Sequence, residues 1–265
     1  MPVVRRAAAL IVALAAAAGI AATAGAREPT LRIVFPEGMS VRQMTDRVAT
    51  VRRIAIVKRK ITPRLDGRSY AAAARAAAPP PGFTPRPRSI EGFLFPSLYK
   101  FGPATSASEL VALQLAAFRR EWTKVDLGPA AARGATPYDV LTIASMIERE
   151  TVAPEERALV AAVICNRLDR HMPLGIDATL RYGLGIQGTR PLTKAQLATD
   201  SPYNTRLHEG LPPTPIGNPG LPSLRAAAAR RRGRLPLLRA RARRRAPFLH
   251  RRRERVLPEG ARVRV

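Results

Sequence analysis

Thr136 to Arg157 reads "TPYDVLTIASMIERETVAPEER", and the fold turns on where this stretch starts, what it buries and where it breaks. Thr136 is a good N-cap. Pro137 falls in the first turn, where its missing N–H costs nothing, and Asp139 complements the positive end of the helix dipole. Val140, Ile143, Ala144 and Ile147 recur at helical spacing and predict a helix to about Thr151 with that stripe inside. A second helix is expected from Pro154, with Glu155 and Glu156 in its first turn and Val160, Val163, Ile164 and Leu168 facing inward.

Glu148 and Glu150 close the first helix. At about 100° per residue they lie about 200° apart and cannot act as a close pair. Glu150 is in register with Ile143 and Ile147, on one edge of the apolar stripe; Glu148 follows Leu141 and Ala144 on the other. A carboxyl on such an edge is desolvated, which raises its pKa and suits it to general acid work. A solvated glutamate beside Arg149 is the alternative, and spacing alone does not choose between them.

Working outward, "LRIVF" (Leu31–Phe35) predicts a short strand closed by Pro36-Glu37-Gly38. Ser40 then resembles an N-cap with Gln43 completing a capping box, and Val41, Met44, Val48 and Val51 share one helical face. "AAAARAAAPPPGFTPRPR" (Ala71–Arg88) reads as a linker, first Ala-rich and then Pro-rich. "EGFLFPSLYKF" (Glu91–Phe101) gathers aromatics, fit for core packing or for the rim of a sugar groove. Ser108 to Trp122 has helical composition. From Gly175 to Gly220 the Gly, Pro, Thr and Asn content suits irregular loops or short strands of the kind that shape a site. The fold class is α+β.

Charge narrows the function classes. The 265-residue chain carries a net charge of +26. Arg230 to Val265 holds fifteen Arg, no Lys and two acids, a net of +13 and half the total. Tail stretches such as "RARRR" resemble basic patches for nucleic acid or anionic lipid, but no aromatics interleave them. Ala7 to Ala26 is uncharged, follows Arg5 and Arg6, and is long enough to span a bilayer. Ala24-Gly25-Ala26 also fits a signal-peptide cleavage site. Either way the remainder is expected outside the cytoplasmic membrane, which argues against nucleic acid as a partner. The single Cys165 excludes an internal disulfide, and His171, His208 and His250 show no metal-ligand spacing.

"ASMIERETVAPEERALVAAVICNRLDRHMPLGIDATLRYGLG" (Ala144–Gly185) and "SPYNTRLHEGLPPTPIGNPGLPSLRAA" (Ser201–Ala227) resemble the endolytic murein transglycosylase family, the MltG or YceG-like proteins. The resemblance runs from about Glu91 to Ala228. It implies a transmembrane or signal segment at 1–26, a LysM-like unit at 27–78, a Pro-rich linker at 79–90 and a YceG-like catalytic domain at 91–229. The implied activity cleaves the MurNAc–GlcNAc bond of nascent peptidoglycan strands and leaves 1,6-anhydro-MurNAc ends, with no cofactor and no metal. The implied catalytic residue is the second glutamate of E-x-E-T, Glu150. Asp177, Asn166, Tyr203 and Asn204 are the motif positions expected to bind substrate, each with a turn or cap role as its alternative. The resemblance also implies a single-pass membrane protein whose catalytic domain faces the wall, working beside peptidoglycan synthases. A non-catalytic wall-binding protein is the competing reading.

The resemblance stops after Ala229, where the Arg-rich tail begins. "RLPLLRA" (Arg234–Ala240) can be encoded so that reading one nucleotide later gives "DYLYFVR", similar to the "YLYFV" strand the family carries there. "APFLHR" likewise yields "HHFFTD". Residues 230–265 are therefore expected to be a frameshifted, disordered ending that replaces the last strands of the catalytic domain.

Overall fold

The computed structural model describes residues 29–188 and 190–229. The apolar run at 1–26 and the tail at 230–265 lie outside the described residues, and with them the anchor, signal-peptide and frameshift readings. Among the described residues no helix is long and apolar enough to cross a membrane.

Strand β1 (Leu31–Val34) alternates in the way a half-buried strand must, with Leu31 and Ile33 inside and Arg32 and Val34 outside. Ser40 caps α1 (Val41–Arg59): its hydroxyl accepts from the Gln43 N–H at 3.3 Å, while the Gln43 side chain accepts from the Ser40 N–H at 2.9 Å. The helix ends at Lys60 in the left-handed region, with φ of 55°.

The Ala-rich half of the expected linker is helical instead. Helix α2 (Gly67–Ala76) takes up Ala71 to Ala74, because alanine is the best helix former and Asp66 with Ser69 supplies a capping box. The Pro-rich half has no regular structure, yet it is packed. Phe83 is buried and sits edge-on to Phe93, with ring centroids 4.8 Å apart, and 4.9 Å from Trp122.

Strand β2 (Leu98–Phe101) then returns antiparallel to β1, pairing Leu31 with Phe101 and Val34 with Leu98. The segments before and after the Pro-rich stretch thus share one sheet. They also share one core, in which Phe35 and Tyr70 pack with their rings 6.0 Å apart and the Tyr70 hydroxyl donates to Gln114 Oε1 at 2.6 Å. The segments on either side of residues 79–90, expected as a linker, are joined by that core. The aromatics of Glu91–Phe101 go to packing, since Phe93, Tyr99 and Phe101 are all buried.

The rest is helical. Helix α3 (Ala107–Trp122) begins at a Ser106–Glu109 capping box, and a short α4 (Gly128–Ala131) leads to α5 (Pro137–Glu150). Thr136 caps α5 as expected, but the helix buries far more than a stripe: Tyr138 and every residue from Val140 to Ile147 are buried. Polar Thr142 and Ser145 are tolerated inside because their hydroxyls donate to the carbonyls of Tyr138 and Thr142, at 2.9 and 2.7 Å. Helix α9 (Leu221–Ala229) covers one side of α5 through Leu224, Ala227 and Ala228.

A 3-10 turn at Pro154–Glu156 precedes α6 (Arg157–Asp169). The buried face of α6 is centred on small residues. Ala161, Ala162, Ile164 and Cys165 point inward, whereas Val163, expected inside, is 42% exposed. Small side chains let α6 lie close to α5 and α9. Helices α7 (Asp177–Gly183) and α8 (Lys194–Leu197) interrupt an otherwise irregular segment that contains no strand among the described residues.

The turn before α1 is clamped to the loop before α9. Gly38 N–H donates to the Asn218 carbonyl at 2.8 Å, and Asn218 N–H donates to Met39 at 2.9 Å. The backbones approach so closely that a Cβ on Gly217 would stand 2.6 Å from the Gly38 carbonyl oxygen. Gly217→Ala should therefore cost about 2 kcal/mol, read as a drop in thermal midpoint. An unchanged midpoint would show that the clamp yields freely.

Candidate active site

An open cleft of about 710 Å³ lies where the N-terminal turn of α1, α2, the Arg88–Glu91 segment, α5 and α7 meet. Its size is that of an ordinary ligand site. Arg149 reaches it from the last turn of α5, Tyr182 from α7 and Tyr203 from the following loop. The two tyrosine rings lie 5.3 Å apart, centroid to centroid, and the Tyr203 hydroxyl is 2.9 Å from Thr214 Oγ1. Gly183 permits this contact, since a Cβ there would be 2.6 Å from that of Tyr203.

Glu91 forms part of the cleft lining and is only 3% exposed. Both of its oxygens accept from the Val41 N–H, at 3.1 Å each; Tyr182 donates its hydroxyl to Oε2 at 3.1 Å and Asn218 its amide to Oε1 at 3.0 Å. One carboxyl thus ties together the start of α1, α7 and the loop before α9. Burial pushes its pKa up to about 7, against the opposing pull of those donors and of the Arg149 charge. Sequence reasoning passed over Glu91. The available signal was a lone acid heading a run of core residues.

The two glutamates of α5 have different surroundings. Glu148 has a side chain 6% exposed, accepts from the Gly220 N–H at 3.0 Å and pairs with Arg157 at 3.2 Å. Arg157 also reaches Glu37 at 3.5 Å, so two carboxylates share one guanidinium. Glu37 is pushed up in pKa by burial and by the Glu148 charge, with Arg157 opposing. Glu150 is the final residue of α5 and half-buried, directly after the cleft-lining Arg149. The hydroxyl of the next residue, Thr151, is buried with no hydrogen-bond partner among the described residues.

Of the five positions expected from sequence, Tyr203 lines the cleft; Glu150, Asn166, Asp177 and Asn204 are not among its lining residues. Asp177, the first residue of α7, accepts from Arg206 Nη2 at 2.6 Å and Nε at 3.1 Å. Asn204 is fully buried and its amide donates to the carbonyls of Leu197 and Thr199, at 3.0 and 2.8 Å, bracing the loop that carries Tyr203. Asn166 is half-buried on α6.

The family model described as YceG-like matches residues 9–235. The endolytic murein transglycosylase of Bacillus subtilis is 36% identical over 139 residues, which is 52% of this chain and 38% of that protein. The protein of the same name from Streptococcus pneumoniae strain D39 is 32% identical over 142 residues, 52% of this chain and 26% of that one. The chain therefore matches well under half the length of either relative. The crystal structure of a YceG-like protein from Listeria monocytogenes superposes with a TM-score of 0.58 at 27% identity, covering 74% of this chain and 65% of the other.

Proposed function

This chain belongs to the YceG-like family, and we propose that it is an endolytic peptidoglycan lytic transglycosylase with Glu150 as its acid and base. The observation that carries the reading is convergence. Arg149 of E-R-E-T, Tyr182 of the A-T-L-R-Y segment and Tyr203 of S-P-Y-N all line one cleft.

The chemistry needs a single proton-transferring group. Ordinary glycosidases use two carboxyl groups, the second serving as nucleophile or as base for water. Here Glu150 protonates O4 of GlcNAc as its bond to C1 of MurNAc breaks. The 6-hydroxyl of the same MurNAc attacks C1, closing the 1,6-anhydro ring, and the Glu150 carboxylate takes the proton that O6 releases. Proton count is conserved and no water is consumed. Attack within one sugar gains from proximity, and the half-buried Glu150 directly follows the cleft-lining Arg149. Tyr182 and Tyr203 offer ring surface to the sugars, their hydroxyls being engaged by Glu91 and Thr214. Asp177 and Asn166 enter the proposal as residues that bind substrate at the margin of the cleft, and the fully buried Asn204 as the brace of the Tyr203 loop.

The finer features of the resemblance belong to this proposal as well. Residues 27–78 form a LysM-like unit that completes its sheet with β2, residues 7–26 hold the protein in the membrane, and the catalytic part faces the wall beside the peptidoglycan synthases. Digestion of purified peptidoglycan should yield anhydro-muropeptides. Binding without anhydro products identifies a wall-binding protein instead. Fractionation tests the topology: the protein should stay with membranes after a high-salt wash, with residues beyond Arg27 reached by protease from outside. A soluble species beginning near Arg27 would point to a cleaved signal peptide.

A further inference from the structure

We propose that the cleft recognises the carboxylates of stem peptides, so that the protein acts on peptide-bearing glycan strands in preference to denuded ones. The inference rests on the proposed function for its glycan and on the charge of the cleft for its specificity.

Arg42, Arg75, Arg88, Arg149 and Arg181 all line the cleft, and they come from five separate segments of the chain. Glu91 is the single acidic residue of the lining. Its oxygens are taken up by Val41, Tyr182 and Asn218, and of the cleft arginines it is Arg149 whose charge acts on it. Asp46, one turn along α1, stands nearby and accepts from Gln187 Nε2 at 3.3 Å.

Among the described residues Arg42, Arg75, Arg88 and Arg181 form no ion pair. Arg42 donates instead to the Gly185 carbonyl at 3.2 Å, Arg181 to that of Gly188 at 3.3 Å, and Arg149 to that of Gly38 at 3.2 Å. A carbonyl holds a guanidinium in place without cancelling its charge. Outside the cleft Arg157 pairs with Glu148 and Glu37, and Arg206 with Asp177. The cleft thus gathers Arg42, Arg75, Arg88 and Arg181 without an acid paired to any of them among the described residues, two of them braced on carbonyls. In a partly enclosed cleft such charges act together on an anionic ligand.

The glycan backbone is uncharged where the lactyl group of MurNAc is amide-linked, so the anions of a strand are its stem-peptide carboxylates and the diphosphate at a lipid-linked end. A diphosphate wants a convergent cradle of donors. Five guanidiniums, each from a different segment, form a lining instead, which suits carboxylates that branch repeatedly from a chain. Stripping the stem leaves one lactyl carboxylate per MurNAc, a smaller charge held closer to the sugar.

The test measures binding of the full chain to uncross-linked peptide-bearing strands and to amidase-denuded strands, with anhydro-end formation followed separately. Peptide-bearing strands should bind about tenfold more tightly at low salt, the preference shrinking as salt rises. Arg75→Ala with Arg88→Ala should remove most of the preference, and Arg75→Lys with Arg88→Lys should keep it in a protein of equal thermal midpoint. Equal binding of both strands overturns the proposal. So does competition by inorganic pyrophosphate that free stem tetrapeptide does not match. Preference in binding without turnover of either strand would sink the proposed enzyme and leave this inference standing. Turnover without preference does the reverse.

Discussion

Glu150→Gln should bring anhydro-muropeptide formation to background while the protein stays folded. Glutamine keeps the size of the side chain and its half-buried place at the end of α5, but it has no proton to give and no carboxylate to take one back. General acid–base contributions are typically about 10²–10⁴-fold, and here one group serves both half-reactions. Glu148→Gln is the informative contrast. Glu148 accepts from Gly220 and pairs with the Arg157 that Glu37 also touches, so its replacement weakens the join between α5, α6 and α9. A loss of about 1–3 kcal/mol follows from a buried charged hydrogen bond given up, with turnover retained under conditions where the variant is folded. A folded Glu148→Gln protein without turnover, beside an active Glu150→Gln protein, would reverse the assignment.

Local signals were the legible part of this chain. The caps at Ser40 and Thr136 sit where side chain and spacing demand them, because a capping box is a contact between residues three apart. The strand at Leu31 was likewise visible as a short apolar run closed by Pro36-Glu37-Gly38. What escaped was non-local. Nothing in Ala71–Arg88 says that the chain folds back through a packed Phe83 to lay β2 on β1, and low sequence complexity concealed a capped helix. The inward face of α6 was misjudged at Val163, because the small Ala161, Ala162 and Cys165 take the inner positions against α5 and α9. The site divides in the same way. Its motif residues are contiguous strings, whereas Glu91 matters through Val41, Tyr182 and Asn218, residues 50, 91 and 127 positions away.

That buried carboxyl should dominate the response of stability to pH. Its ordinary value is 4.5 and burial raises it to about 7 in the fold, so between those values the folded protein keeps a proton that the unfolded chain has released. The folded state is then favoured by acid. The contribution is complete below about pH 4.5 and is lost as pH rises to about 7, a change on the order of 3 kcal/mol at 1.36 kcal/mol per pKa unit. Glu37, raised in the same direction by burial, adds to the slope. Asp66, held low by its cap bonds to Ser69, acts oppositely and only at lower pH. Glu91→Gln keeps the shape and removes this titration, so its denaturation midpoints should fall much less from pH 5 to 7.5 than the parent's, with the Glu37 contribution left. Glu91→Ala strips acceptors from Val41, Tyr182 and Asn218 at once and should cost about 3 kcal/mol or more at every pH, each buried donor left unpaired costing about 1–3 kcal/mol. The two substitutions separate charge from connection. A Gln variant that retains the parental slope would show that the acid response comes from elsewhere. An Ala variant as stable as the parent would show that Glu91 does not hold the cleft together.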